Sequence, residues 1–354
     1  MDLTSLLGNP HFSVFELTAA LNRFPLVPGL VGSLNLFTPK PQTTTVVMLE
    51  QQNDTLALVP SQPRGAPATI NVRGNRQMIP FIIPHFPLRS TLMADSILGV
   101  RAFGTTNELE GIQSKVNGEL SSMGLKLDVT QEYLRLGAIK GVIITSVDRT
   151  TGIPLSAIDL FAAFGVTAQT DINWPIVYSR AITEADAWSS PIRALSSSAA
   201  RVMANELGGQ SFTGLVAICG SAFFNAIAGA PETRQVYLAA TGAVTTTQLL
   251  GSTYGARISY AGVTYIEYIG GVGNLVFVPD DTAYVFPTGV PELFIEAYAP
   301  ADYIETVNTV ALPRYAKQEI MDFDKGVELE TQMNVLPMCT RPRALLTLKA
   351  TAAP

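Results

Sequence analysis

Two histidines, His11 and His85, and two cysteines, Cys219 and Cys339, are what this chain of 354 residues offers, beyond its carboxylates and hydroxyls, for acid–base, nucleophilic or metal chemistry. His11 lies near the start and His85 between Pro84 and Phe86, and neither stands in a motif that supplies a partner. The cysteines are 120 positions apart with no C-x-x-C, which reads as two small buried apolar side chains in a reducing compartment. Cys219-Gly220-Ser221-Ala222-Phe223 is the nearest approach to a nucleophile elbow and lacks the second glycine. Gly271-Val272-Gly273 lacks a third glycine and a following helix, so it is no dinucleotide fingerprint, and a Walker A sequence does not occur. Asp280-Asp281 follows Pro279 and would need further ligands to hold a metal; the pair reads as a turn whose carboxylates bond their own backbone. The expectation is no catalytic residue, no metal site, no cofactor and no enzyme activity. An α+β enzyme working through Asp280 and Asp281 stands as an alternative.

Composition carries more than motifs do. Apolar residues make up 47% of the chain and charged residues 15%, against about 25% charged in an ordinary soluble domain. With seven lysines, two cysteines and two histidines, a disulfide scaffold, a zinc ribbon and a lysine-rich nucleic-acid binder are excluded. A chain of 37.9 kDa has room for one large or two ordinary domains, and this one has more neutral surface than a free monomer normally shows. That points to self-association. No signal peptide is read, because Asp2 stands where positive charge belongs and Pro10, Pro25 and Pro28 interrupt an apolar run. The charge-free stretch from Gly214 to Ala230 is shorter than the roughly twenty residues of a membrane span. A buried strand Leu215–Cys219 followed by a short helix Ser221–Ala228 explains it, and no membrane is expected as a partner.

Charge is unevenly placed. Residues 292–330 carry nine acids and three bases, while residues 331–354 carry only Arg341, Arg343 and Lys349. Between Asp54 and Asp95 there is no acid, yet Arg64, Arg73, Arg76 and Arg89 all fall there. One reading is a solvated acidic face. The sharper one sets these four arginines of one copy against the acidic surface of a neighbour, giving register and partner choice more than affinity.

The elements that would position these residues follow from periodicity and punctuation. Ser13 caps a helix to Phe24, with Glu16 completing a capping box and Pro25 stopping it. Beyond it an extended arm without a core of its own has to lie on its parent domain or on a neighbour. Thr43–Glu50, Leu56–Val59, Ala68–Val72 and Met78–Ile83 read as strands of a flap whose many prolines confine it to edges and hairpins. Such a flap, with His85 at its end, is marginal in water unless it lies on another surface. Leu109, Ile112, Val116, Leu120, Met123 and Leu127 form one stripe of a long helix capped by Thr105 and Glu108 and running past Leu134. Gly111, Gly118 and Gly124 weaken that helix. Strand Gly141–Asp148, a helix Ser156–Phe164, strand Ile176–Tyr178 and a helix Glu184–Leu207, capped by Thr183 and Asp186 and stopped by Gly208-Gly209, come next. Strand-like 235–239, a strand Ile258–Ile269, and strands Leu275–Val278, Ala283–Phe286, Phe294–Tyr298, Val335–Met338 and Leu345–Leu348 complete an α+β pattern.

In this order the elements resemble the major capsid proteins of tailed bacteriophages, in particular the lambda-type family called major capsid protein E, with its HK97-type shell fold. Four stretches carry the resemblance. They are Arg73-Gly74 through Phe81-Ile82-Ile83-Pro84 to Leu88; Gly214 to Ala228; Ile258-Ser259-Tyr260-Ala261-Gly262-Val263 through Pro279-Asp280-Asp281-Thr282-Ala283; and Met333 to Lys349. The long helix departs from the family in its glycines and its scarcity of Arg and Glu. The resemblance implies an N-terminal arm at 1–40, an extended β loop at 41–88, a peripheral domain with a spine helix at 89–185 and 300–354, and an axial domain at 186–299. It implies pentamers and hexamers closing an icosahedral head around double-stranded DNA, without sequence-specific binding. The implied partners are other copies of the chain, a portal, a scaffold and a decoration protein. The implied location is the virion, after assembly in the host cytoplasm. The shell of an encapsulin-like cellular nanocompartment is the alternative on the same fold.

Overall fold

The computed structural model describes residues 17–18, 21–22, 29–52, 76–97, 112–148, 153–175, 191–230, 232–233, 255–272 and 275–351. In chain order its first strands are β1 (Phe37–Pro41), β2 (Val46–Gln52), β3 (Arg76–Ile82), β4 (His85–Met93), β5 (Val142–Val147), β6 (Pro154–Asp159) and β7 (Ile172–Pro175). Then follow β8 (Gly214–Cys219), β9 (Arg257–Tyr260), β10 (Val263–Glu267), β11 (Gly271–Val272) and β12 (Leu275–Val276). The last are β13 (Thr282–Thr288), β14 (Phe294–Tyr298), β15 (Tyr315–Ile320), β16 (Gly326–Cys339) and β17 (Leu346–Thr351). The principal helices are α1 (Leu30–Ser33), α2 (Ile112–Lys140), α3 (Leu160–Ala163), α4 (Pro191–Glu206) and α5 (Ser221–Gly229).

The chain divides into two compact units. The first holds residues 1–48, 80–135 and 295–337, the second 49–79, 136–294 and 338–354. In the first unit, strand order β1-β14-β16-β15 forms a sheet in which the long β16 also pairs with β4. Alternation along these strands decides the faces. Leu92, Val327, Leu329 and Ala316 point to one side and join Val116, Leu120 and Met123 of α2 and Leu17 and Leu21 of the arm in one buried cluster. The register then places Lys317, Glu330 and Arg89 in line across β15, β16 and β4 on the other side. Gly124 on α2 makes room for the arm, because a Cβ there would sit 3.3 Å from Leu21 Cδ1. That is the local reason for a glycine in the middle of this helix.

In the second unit, strand order β7-β17-β13-β8-β10-β9 forms a six-stranded mixed sheet. β8 and β10 are parallel, while β13 runs antiparallel to both β8 and β17. Met203 and Ala199 of α4, and Phe223 and Ile227 of α5, pack with Leu215, Ala217, Tyr265 and Val285 in its core. The charge-free stretch from Gly214 is therefore strand β8 followed by α5. No described helix is long and apolar enough to cross a membrane.

Several expectations change here. The helix expected over Ser156–Phe164 is strand β6 to Asp159 and then the single turn α3. Asp159 causes the switch, since its Oδ1 accepts from Phe161 N at 2.8 Å and Ala162 N at 3.2 Å while the residues before it pair with β5. The strand expected over Ile258–Ile269 is instead the hairpin β9–β10, folded at Ala261 and Gly262, whose φ values of 51° and 81° suit a tight two-residue turn. Thr105, Glu108 and Leu109 at the start of the long helix, Thr183 to Asp186, Ile176–Tyr178, 235–239, Leu56–Val59 and Ala68–Val72 lie outside the described residues. His85, read with the flap, stands on β4 opposite Asn334 of β16. The two-stranded pair β2–β3 forms a separate sheet.

The last residue of α2, Lys140, is half-buried, with Nζ hydrogen-bonded to Phe277 O and 5.3 Å from the centre of the Tyr284 ring. Burial pushes its ammonium down from 10.5 to about 8. Below pH 8 the lysine is charged in folded and unfolded chain alike, and the folded chain bears the desolvation cost. Between pH 8 and 10.5 the folded chain has released a proton that the unfolded chain keeps, so stability rises with pH. Relative to Lys140→Met, the native chain is expected to gain on the order of 3 kcal/mol across that window. Urea titrations at stepped pH measure this, and two parallel stability curves would contradict it.

Candidate functional site

The four arginines expected to meet a neighbour are placed as follows. Arg64 and Arg73 lie outside the described residues. Arg76 opens β3. Arg89, mid-strand on β4, puts Nη2 3.0 Å from Glu330 Oε2 and Nη1 3.4 Å from Glu328 Oε2 of its own β16. It thus pairs with two acids of the 292–330 segment within the chain, offsetting one of their two charges, while its side chain stays 63% exposed. Burial raises the Glu330 carboxyl, but hydrogen bonds from Gln332 and Arg89 outweigh it and hold the group below its ordinary value. Lys317 reaches Glu305, with Nζ 3.1 Å from each carboxylate oxygen. Much of the acidic segment is therefore the outer face of a sheet whose charges are partly paired at home.

A second group of charges was not foreseen. Asp128, Gln131, Glu132 and Arg135 occupy one stripe of α2 at spacings of three, one and three. Arg135 forks onto Glu296 of β14, with Nε 3.0 Å from Oε1 and Nη2 2.8 Å from Oε2. Gln131 Nε2 donates to Glu296 Oε1 at 2.9 Å, and the Tyr298 hydroxyl donates to Oε2 at 2.6 Å. Asp128 pairs with Arg314. The two arginines respond oppositely to burial. For Arg135 the carboxylate of Glu296 overcomes burial and raises the guanidinium's affinity for its proton; for Arg314 burial outweighs Asp128 and lowers it. Glu132 fixes the arm, because its two oxygens accept from Val31 N at 2.7 Å and Gly32 N at 3.0 Å. Gly29 is required beside it, as a Cβ there would lie 2.1 Å from Glu132 Cδ. Burial pushes the Glu132 carboxyl up, and the two backbone donors oppose the shift.

The other candidates for chemistry are dispersed. His85 Nδ1 lies 2.8 Å from Asn334 Oδ1. Cys219 and Cys339 are buried free thiols, both pushed up by burial, Cys339 to about 12. Asp280 and Asp281 are exposed at a turn, where Asp281 Oδ1 accepts from Thr282 Oγ1 at 3.0 Å. Among the described residues no group of three or more His, Cys, Asp or Glu side chains converges as a metal site would require. Large apolar side chains instead stand in solvent in the first unit, with Ile304 92% and Phe323 89% exposed.

The first unit is a helix-backed sheet that holds apolar side chains outward, and the second is built on a separate mixed sheet. Known structures share this fold. The chain superposes on the proposed capsid protein of an E. coli CFT073 prophage with a TM-score of 0.57 at 16% identity, covering 96% of this chain and 99% of the other. The capsid of Ralstonia phage GP4 gives 0.51 at 10% identity, covering 90% and 87%. The fold is thus that of HK97-type phage capsids. By sequence, the major capsid protein of Salmonella phage Felix O1 is 26% identical over 373 aligned positions, 97% of each chain, and that of Pseudomonas phage KPP10 is 25% identical. The family model for phage major capsid protein E matches residues 13–350, and this chain belongs to that family. It is a major capsid protein of a phage shell and a component of the virion.

The Arg135–Glu296 pair is buried, with side chains 12% and 3% exposed. Arg135→Ala leaves a buried carboxylate without its main partner and is expected to destabilise the chain by about 3–5 kcal/mol. Replacing both partners with apolar residues, Arg135→Met with Glu296→Leu, is expected to recover most of that loss in chemical denaturation. Equal losses in the single and double variants would show that the pair's electrostatics are not what holds the sheet to α2.

Proposed function

We propose that this chain tiles an icosahedral head as hexamers and pentamers around packaged double-stranded DNA, with no catalytic role of its own. The observation that carries the reading is the pairing of a self-assembling family fold with a chain whose basic, acid-free segment and acidic sheet face are far apart in sequence. In this reading the extended loop of one copy lies over the first unit of its neighbour. Arg64, Arg73 and Arg76 then meet the carboxylates of the 292–330 segment that their own chain leaves to solvent, and Arg89 keeps the edge of that surface in place. A net charge of −6 suits an inner surface that holds DNA without gripping it, since attraction to phosphate grows with Lys and Arg contacts. Closing such a shell requires an entry vertex for the DNA and a template for curvature. These are the roles of a portal and a scaffold, and a decoration protein would add outer contacts.

Electron microscopy of the expressed chain with its neighbouring genes tests the reading. Closed shells or ring-shaped capsomers containing DNA are expected; a 38 kDa monomer at all concentrations, or particles filled with a protein cargo, would contradict it. Reversing Arg64, Arg73 and Arg76 to Glu is expected to leave the fold of the isolated subunit intact and to impair assembly, most at low salt. Normal assembly of that variant across a salt series would remove the charge-pairing part of the account.

A further inference from the structure

Phe323 is 89% exposed and its backbone has φ +63°, a region that suits Gly or Asn and opposes a bulky side chain. It stands in the 3-10 turn Asp322–Asp324 joining β15 to β16. The turn is held on both sides: Met321 N donates to Gly326 O at 3.0 Å, and Ala94 N donates to Lys325 O at 2.9 Å. Within the chain, Lys325 Nζ lies 5.5 Å from the ring centre and covers one face. A ring kept in solvent on a strained, fixed backbone opposes folding twice.

The charges beside the ring are also unspent. Asp322 and Lys325 are exposed, of opposite sign, and among the described residues neither joins an ion pair. The Tyr303 ring shows the contrast. Lys317 Nζ lies 5.2 Å from its centre and is also held 3.1 Å from both Glu305 oxygens, so that group is closed within the chain. The group at the tip is not.

We propose that the tip Met321–Lys325 is a two-fold docking point for the same tip of a second copy of this chain. The tip carries both signs, so a partner surface of one sign would leave one of them facing its like. A second tip turned about a two-fold axis presents both signs and a ring in the complementary order. Asp322 of one copy then meets Lys325 of the other in two equivalent pairs, and each Phe323 ring offers the other the face that Lys325 leaves open. Burying the two rings against each other returns what each turn forgoes alone. The inference rests on the shell reading above and names one contact between copies within it.

Charge reversal tests the self-complementarity, with light scattering to follow assembly and thermal unfolding to follow the isolated subunit. Asp322→Lys and Lys325→Asp each bring like charges together across the axis. Each is expected to raise the concentration for half-assembly about five-fold or more. Both side chains are exposed, so the unfolding temperature of the isolated subunit is expected to stay the same. The double variant Asp322→Lys with Lys325→Asp restores opposite signs across the axis and is expected to assemble within about two-fold of the native chain. Single variants that assemble normally, or a double variant as impaired as the singles, would overturn the proposal. Phe323→p-benzoylphenylalanine keeps an aromatic ring at the tip. Irradiated in particles assembled from mixed isotope-labelled and unlabelled chains, it is expected to crosslink to residues 321–325 of another copy, read by mass spectrometry. Crosslinks to other segments, or none, in particles that have formed would overturn the two-fold contact and leave the shell reading standing. Failure of the unsubstituted chain to form any particle would overturn the shell reading and this contact with it.

Discussion

A carboxylate taken out of water must find donors, and among the described residues of the first unit three such groups, on Asp128, Glu132 and Glu296, are all served by or stand on one stripe of α2. Each has a specific solution. Arg314 reaches Asp128 from the segment before β15, Arg135 and Gln131 hold Glu296 of β14, and Glu132 takes two backbone N–H groups from the arm. An apolar seam would tolerate sliding by a residue or a helical turn. These bonds tolerate none, because a slip would strand a buried charge. The position of the sheet on α2 and the seating of residues 29–33 depend on this one constraint.

A subunit held so firmly inside can spend its surface on neighbours. The 301–312 loop shows how. The Thr306 hydroxyl donates to Ala301 O at 2.8 Å and Thr309 N to Thr306 O at 3.2 Å, so the loop is ordered by its own hydrogen bonds while Ile304, Val307 and Val310 point outward. An apolar surface that is already ordered loses little entropy when a partner covers it. The chain's low charge has the same origin. Much of what an ordinary monomer would dress with Lys and Glu is surface that a shell covers with further copies.

Much of the architecture was legible because its signals are local. The stripe Val116, Leu120, Met123 and Leu127 marked the face of α2 that is buried, and Gly208-Gly209, both at positive φ, marked the end of α4. The β8–α5 unit was readable from its charge-free run. What escaped was decided at a distance. Strand β15 and the first half of β16 carry Lys317, Glu319, Glu328 and Glu330 and read as a solvated acidic stretch, because only pairing with β4 reveals that Val327 and Leu329 between those charges face a core. The buried charge group on α2 escaped for the same reason. Asp128, Gln131, Glu132 and Arg135 do form a polar stripe at helical spacing, but their partners lie a hundred or more residues away. Arg89 was singled out as a charged residue in an acid-free region that would meet a neighbour, and the structure gives it partners within its own chain.

An interior locked by α2 and, as proposed, a basic loop received by another copy make separate demands on the backbone. Hydrogen–deuterium exchange, compared between the unassembled subunit and the closed particle, tests both at once. The account predicts slow exchange at Val31 and Gly32 in both states, because Glu132 holds those amides within the chain, and slow exchange across 53–75 only in the particle. Rapid exchange at Val31 and Gly32 in the lone subunit, or the same exchange across 53–75 before and after assembly, would contradict it.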